Sequence, residues 1–284
     1  MSLNETTSVS FDPRVVLRPR TLDEVFDLAM AYGRTYRRDF LRLTLILFVP
    51  AFLLTGALKI GLELNWAKTW AITLVLATLI ERVTIAYAGR HLFGNAPSIP
   101  RAIAGAMRRP ISTVFSALLI PLPLLIGLLD DFSELSIGFG VMIGMFWPFA
   151  LAWTIYLSIV LNLEALPFGK GTKRSALLVS YRFGRAIGFV ATTGTIRVLA
   201  AVLGDLGCGF LVGFLLQLGE PLDVLFQDGG SWASIAGYYL IAPYCAVARL
   251  FDYVDARTRL EGWDIQVRFK AIAAKKDEPK RKVA

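Results

Sequence analysis

The sequence predicts an all-α integral membrane protein: a six-transmembrane-helix bundle with interfacial amphipathic helices on its cytoplasmic side. Several runs of uncharged, apolar residues have the length of one membrane crossing, about 20 residues at about 1.5 Å each across about 30 Å of hydrocarbon. Hydrophobic residues make up 55% of the 284 and charged residues only 18%, where soluble domains hold roughly 45–50% and about 25%; the mean hydropathy is +0.57. Lys and Arg fall in blocks between the apolar runs. That is the pattern of a membrane protein facing anionic lipid headgroups, so the net charge of +8 does not point to nucleic acid.

Residues 1–39 form a polar cytoplasmic segment with no apolar core of a signal peptide. Within it, Thr21-Leu-Asp-Glu24 is a capping box. Leu22, Val25, Phe26, Ala29, Tyr32, Gly33 and Tyr36 share one helical face, opposite Asp23, Asp27, Arg34, Arg37 and Arg38. Such a helix, running straight into a span, is expected to lie in the membrane interface. The six spans occupy residues 40–252. The first runs from Phe40 to Gly61. The second starts near Trp66 and must carry Glu81 and Arg82 toward its cytoplasmic end, continuing through Tyr87. Ile111 to Leu129 is the third, and the fourth lies within Leu135 to Leu163. The fifth region, Ala186 to Leu218, is too long for one crossing and contains Arg197 and Asp205; Gly204, Gly207 and Gly209 predict a break in it. The sixth runs from about Ser231 to Ala248. Residues 253–284 form a charged cytoplasmic segment that passes into a disordered tail from Lys275.

Charge distribution orients the bundle. With odd spans running outward, 27 of the 30 basic residues fall on the cytoplasmic side, Arg42 and Arg82 among them at the inner ends of their spans; only Lys59 and Lys68 fall outside, and only Arg197 lies deep within a span. That bias places both termini in the cytoplasm. It also supports the second span, whose uncharged stretch between Lys68 and Glu81 is short. Two further basic amphipathic stretches, Ser98 to Arg109 and Lys173 to Arg185, precede spans three and five. Two readings fit: a threefold pseudo-repeat of helical hairpins, or the basic character common to cytoplasmic linkers.

Material for catalysis is sparse. His91 is the one histidine, and Cys208 and Cys245 stand in apolar surroundings without ligand spacing. No cofactor and no catalytic constellation are expected. Arg197 is the sharpest anomaly, because an arginine deep in a bilayer either pairs or lines a cavity. Glu81 and Asp205 are its candidate partners, and the site reads either as a bridge between helices or as a polar pathway. Arg82, beside Glu81, reads as a side chain that snorkels to the interface. Asp255 and Arg259, and Arg257 and Glu261, stand at i,i+4 just past span six. With them the closing segment reads as a docking surface for a soluble partner or for the basic linkers, or as a solvated helix anchoring the last span. Gly140-x-x-x-Gly144, Gly184-x-x-x-Gly188 and Gly209-x-x-x-Gly213 would admit close helix packing or a homo-oligomer.

Both ends carry a resemblance. Leu17 to Arg38, with its Arg-Pro-Arg-Thr-Leu-Asp-Glu core, resembles the opening helix of a broad bacterial multi-span family. Tyr253-Val-Asp-Ala-Arg-Thr-Arg-Leu-Glu-Gly-Trp-Asp264 resembles that family's closing Tyr-x-Asp-x-Arg-x-Arg-x-Glu-Gly-x-Asp segment, and Leu163-Glu-Ala and Lys173-Arg-Ser175 also fit. These proteins are similar to the membrane domain attached to some glycerophosphodiester phosphodiesterases. The resemblance implies a six-helix domain in a bacterial inner membrane, without the phosphodiesterase activity, which belongs to a separate soluble barrel. Stand-alone relatives resemble genes beside MoxR-type ATPases and transglutaminase-like envelope proteins. The expected function is a non-enzymatic scaffold, assembly or envelope-maintenance subunit whose cytoplasmic face meets partners or anionic lipid. The runner-up is a transporter or channel for a small or lipid-like molecule, with Arg197 as the clue.

Overall fold

The structure is a computed structural model that describes residues 18–93, 98–107, 149–152, 155–164, 166–217 and 224–262. The third expected span, most of the fourth, Gly140-x-x-x-Gly144 and the tail lie outside the described residues. The described residues hold helices and no strand. Four of the helices are long and apolar enough to cross a membrane.

The chain opens with α1 (Leu22–Thr35). Its capping box forms as the sequence predicts: the Glu24 N–H donates to Thr21 Oγ1 at 3.4 Å and the Thr21 N–H to Glu24 Oε2 at 3.0 Å. Arg18 donates to the same carboxylate at 2.7 Å. That bond, with the Thr21 N–H, holds the Glu24 carboxyl below its ordinary range. Val25, Ala29 and Tyr32 are buried, but not by lying flat on lipid. Phe26 stacks on Phe189 at 5.3 Å, and Tyr32 meets Phe251 at 6.1 Å. The apolar face is taken up by two later helices.

α2 (Arg37–Gly61) is the first expected span, beginning three residues early. α3 (Trp66–Phe93) is the second and carries Glu81 and Arg82 within its length. The short α4 (Ile99–Ala106) starts with Pro100 in its first turn and buries Ala102 and Ala106, in a cluster with Leu43 of α2 and Val83, Ala86 and Tyr87 of α3. α5 (Leu157–Leu163) is the end of the fourth expected span. α6 (Phe168–Ser180) and α7 (Phe183–Gly209) follow, and the helix continues as a π-helical turn over Phe210–Leu215. α8 (Leu225–Asp228) is one turn, and α9 (Trp232–Glu261) is the longest stretch of regular α-helix among the described residues.

Two expectations change. The fifth region does not break at its glycines. It runs unbroken from Phe183 to Leu215, passing from α to π geometry at Phe210; of the three glycines expected to break it, Gly204 serves contact between helices instead, facing Gly237 of α9. A Cβ on Gly204 would stand 2.5 Å from the Ala233 carbonyl oxygen of α9, and one on Gly237 would collide with the Ala200 carbonyl of α7. Among the described residues, a Cβ on Gly184 or Gly209 would meet nothing within 4 Å, and one on Gly188 only Leu22 at 3.9 Å. The helix of the sixth expected span, in turn, does not stop at Ala248. α9 continues through the closing segment to Gly262, whose left-handed conformation (φ 57°) ends it, as glycine caps commonly do.

α9 is the axis of the bundle. It packs on α7, α3, α1 and α2 and is buried from Ser234 to Thr258 on its inner faces. One end of the bundle is aromatic. Trp66 and Trp232 meet edge to face at 5.6 Å, Lys59 lies 3.9 Å above the Trp66 ring, and Trp70 donates to the Gly229 carbonyl at 3.1 Å. Tryptophans gather where a helix leaves the hydrocarbon. The opposite end is ionic. Threonines within the long helices turn their hydroxyls back on the carbonyl four residues earlier, as Thr55, Thr73 and Thr84 do, so they add no unpaired polar group to an apolar environment.

Candidate functional site

Two clusters of charge form, one halfway along the bundle and one at its ionic end.

The central cluster is built on Glu81 of α3. At about 1.5 Å per residue, Glu81 lies about 22 Å from the start of its helix and Arg197 about 21 Å from the start of α7. Arg197 Nη2 pairs with Glu81 Oε1, and Arg249 Nη1 of α9 stands 2.9 Å from Glu81 Oε2. Arg197 Nη1 also donates to the Tyr238 hydroxyl at 3.4 Å. Glu81 is 1% exposed, so one buried carboxylate ties three helices through two arginines. Of the two candidate partners for Arg197, Glu81 is the one that meets it. Asp205 lies two turns further along α7 and accepts the Leu225 N–H at 3.3 Å, closing the connection to α8. Glu81 and Arg82 do not snorkel; both side chains are buried.

Sequence reasoning missed Arg249, which it placed as the first cytoplasmic residue after span six. The signal was present in the apolar Leu250, Phe251 and Val254, which continue the helical face beyond it. Those residues are buried in the core and carry Arg249 inside the bundle.

The end cluster is built on α9's last turns. Asp252 and Asp255 are fully buried. Asp252 accepts from Arg185 Nε at 2.9 Å and the Tyr156 hydroxyl at 2.5 Å. Asp255 accepts from Arg182 Nη1 at 2.6 Å, from Arg259 Nε at 3.2 Å and from the backbone N–H of Arg20 at 2.6 Å. Arg185 and Arg259 each donate to the Arg20 carbonyl at 2.7 Å. Both backbone groups of one residue before α1 are therefore held by side chains 165 or more positions away. Burial lowers the pKa of the Arg20 side chain itself. Beside this, Glu164 accepts from Arg174 at 3.3 Å and from the Tyr253 hydroxyl, and stands 3.7 Å from Arg257. Arg257 donates to Glu261 at 2.9 Å, and Arg174 also pairs with Glu261.

The closing residues Asp255, Arg257, Arg259 and Glu261 thus engage the chain's own opening segment and linkers. Of the roles left open for them, the docking of the basic linkers is the one the geometry displays. The i,i+4 pairs expected from the sequence both form. Other basic side chains at this end, Arg34, Arg37, Arg38, Arg90, Arg101, Lys170 and Lys173, are exposed. Among the described residues, no group of three or more His, Cys, Asp or Glu is placed to hold a metal ion.

No family model matches the chain, and neither a curated protein nor a solved structure matches it.

Proposed function

We propose that the chain is a non-enzymatic component of a bacterial inner membrane, crossing it six times with both termini in the cytoplasm and serving as a scaffold or assembly subunit. The observation that carries this reading is the ionic end. Its acidic groups are spent on joining α1, α5, α6, α7 and α9 into one block, while basic side chains remain on the outside. A rigid basic face at a membrane surface suits anionic headgroups or an acidic protein partner. The aromatic end, with Lys59 over Trp66, suits the opposite, outer boundary. The resemblance of the opening and closing segments to the bacterial multi-span family supports the same reading, since those segments are the ones that interlock.

The central cluster weighs against a pathway through Arg197, because that guanidinium is committed to Glu81 and Tyr238. Exchange of Arg34, Arg37, Arg38, Lys170 and Lys173 for Gln in the tagged full chain tests the scaffold reading. Loss of co-purifying partners with an unchanged melting temperature is expected; unchanged recovery counts against it. Labelling by a membrane-impermeant maleimide tests orientation: Lys59→Cys should react from outside and Lys173→Cys should not.

A further inference from the structure

α7 outruns the rest of the bundle. Its seam with α9 sets the level. A Cβ on Gly204 would stand 2.5 Å from the Ala233 carbonyl oxygen, so Gly204 lies abreast of the first turn of α9. There Trp232 meets Trp66, the first residue of α3, at 5.6 Å and stands beside Gly56 in the last turns of α2. At the other end, Arg185 of α7 pairs with Asp252 of α9 at 2.9 Å. Between these two levels, from Arg185 to Asp205 and from Trp232 to Asp252, each helix rises about 30 Å, which is the thickness of a hydrocarbon core. Both helices have therefore filled the hydrocarbon before α7 reaches Leu206.

Past that level the helix continues from Leu206 to Leu215, roughly 13 Å further, without a charged residue. Leu206, Phe210, Leu211, Phe214 and Leu215 are 50–68% exposed, and no residue of the π-helical turn is buried. Headgroups and water, not acyl chains, lie at that height, and contiguous apolar surface exposed there marks an interaction site. The surface is one-sided. Leu199, Leu203, Leu206, Phe210 and Phe214 follow one another at intervals of three and four, and Phe210 stacks on Phe214 at 5.0 Å. The buried Phe189, Thr193, Arg197 and Ala201 lie on the side of α7 that packs on α9, so the stripe looks away from the bundle.

A surface without charge gives an ionic partner nothing to read, and its complement is equally apolar. Copies of one chain share one orientation in their membrane, so a second copy brings its own projecting α7 end to the same height, parallel to the first. About a twofold axis each apolar side chain then meets its counterpart, with no like charges opposed. Gly207 and Gly209, with nothing within 4 Å of an added Cβ, let the two backbones come close. We propose that the chain forms a homodimer through the projecting end of α7, with Leu206 and Phe210 beside the twofold axis. The pairing rests on the membrane reading of the bundle but not on the scaffold role: recovery of other partners can fail while the copies still pair.

The test uses membranes of cells that express the full chain with two different tags, in a Cys208→Ser background that leaves only the buried Cys245. Leu206→Cys and Phe210→Cys are oxidised with copper phenanthroline and read on a non-reducing gel. Leu53→Cys, at a position 65% exposed on α2, is the control. Both α7 variants are expected to give a product of twice the chain's 31.3 kDa that carries both tags, while the control stays monomeric. Adding Leu206→Arg to Phe210→Cys should abolish that product, because it sets like charges across the axis, and should leave the melting temperature unchanged, because Leu206 is outside the core. Crosslinking no greater than in the control means that lipid covers the stretch. A product carrying one tag and a foreign protein means a different partner. A product that survives Leu206→Arg means that the copies meet elsewhere. Each of these three results overturns the proposal.

Discussion

The two charge clusters solve one problem in different surroundings. At the ionic end, Asp252 and Asp255 are fully buried, but the arginines that serve them are 16–37% exposed. Water still reaches the cations, and each aspartate has several donors, so no single contact decides the fold. In the centre, Glu81 is 1% exposed and its partners Arg197 and Arg249 only 11–13%. One carboxylate answers for two cations with little help from solvent. Redundancy at a wet end and dependence on one group at a dry centre predict a graded response to mutation.

Glu81→Gln should have the largest effect. It leaves Arg197 and Arg249 buried without a counter-charge, and breaking a buried pair in this way costs about 3–5 kcal/mol. Unfolding by SDS in mixed micelles measures it. Adding Arg249→Met to Glu81→Gln should recover part of the loss, since an apolar side chain of similar length removes one stranded charge. A double variant as unstable as the sum of its parts would show that the two residues do not act as one cluster.

Asp255→Asn comes next. The amide keeps the shape but weakens the charge-assisted bonds from Arg182 and Arg259 and removes the ion pair with Arg185, and its NH₂ group meets donors. A loss of roughly 1.5–3 kcal/mol is expected. The local consequence is more telling than the global one. With the Arg20 N–H released, trypsin should cut after Arg20 faster than in the native chain. If that cleavage rate stays unchanged, Asp255 does not hold the opening segment.

Hydropathy and the position of charges revealed four of the long helices and the capping box, because these depend on composition and on neighbours within a turn. The second span was legible only through charge alternation, yet its proposed start at Trp66 is where α3 begins. The break in the fifth region was misread. A glycine has no side chain to show whether it loosens its own helix or admits another, and only the antiparallel seating of α7 on α9 makes Gly204 and Gly237 contact points. The candidate site was half legible. A deep arginine announces a need for a partner, which Glu81 meets. It does not reveal which of two carboxylates lies on the facing helix, nor that Arg249 lies on the same seam. Asp255 and Arg259 were legible as a local pair, but the bond from Asp255 to a backbone 235 positions earlier leaves no trace in spacing.

Gly237→Val tests the seam that joins the two clusters. The valine side chain would press on the Ala200 carbonyl, where a Cβ has no room. Overpacking of this kind costs about 1–3 kcal/mol. Its effect should spread, separating α7 from α9 and lengthening the reach of Arg197. A combined Gly237→Val and Glu81→Gln variant should therefore lose less than the two single losses together, whereas Gly237→Val with Asp255→Asn should come closer to additivity.

Arg259→Gln should have the smallest effect, and that is where the comparison is most exposed to refutation. Arg259 makes as many contacts as Arg197 does: it reaches Asp255 at 3.2 Å and the Arg20 carbonyl at 2.7 Å. Contact geometry alone would rank the two arginines together. Solvent separates them, because Arg259 is 37% exposed and its aspartate retains Arg182 and Arg185. An ion pair so placed contributes about 0.2–1 kcal/mol, and the Arg20 carbonyl keeps its bond from Arg185. Denaturation of Arg259→Gln and Arg197→Gln side by side, at low and at high salt, reads the difference. A small loss for Arg259→Gln that shrinks with salt, beside a large salt-independent loss for Arg197→Gln, is the expected pair. Equal losses would mean that the end cluster is as dry as the centre.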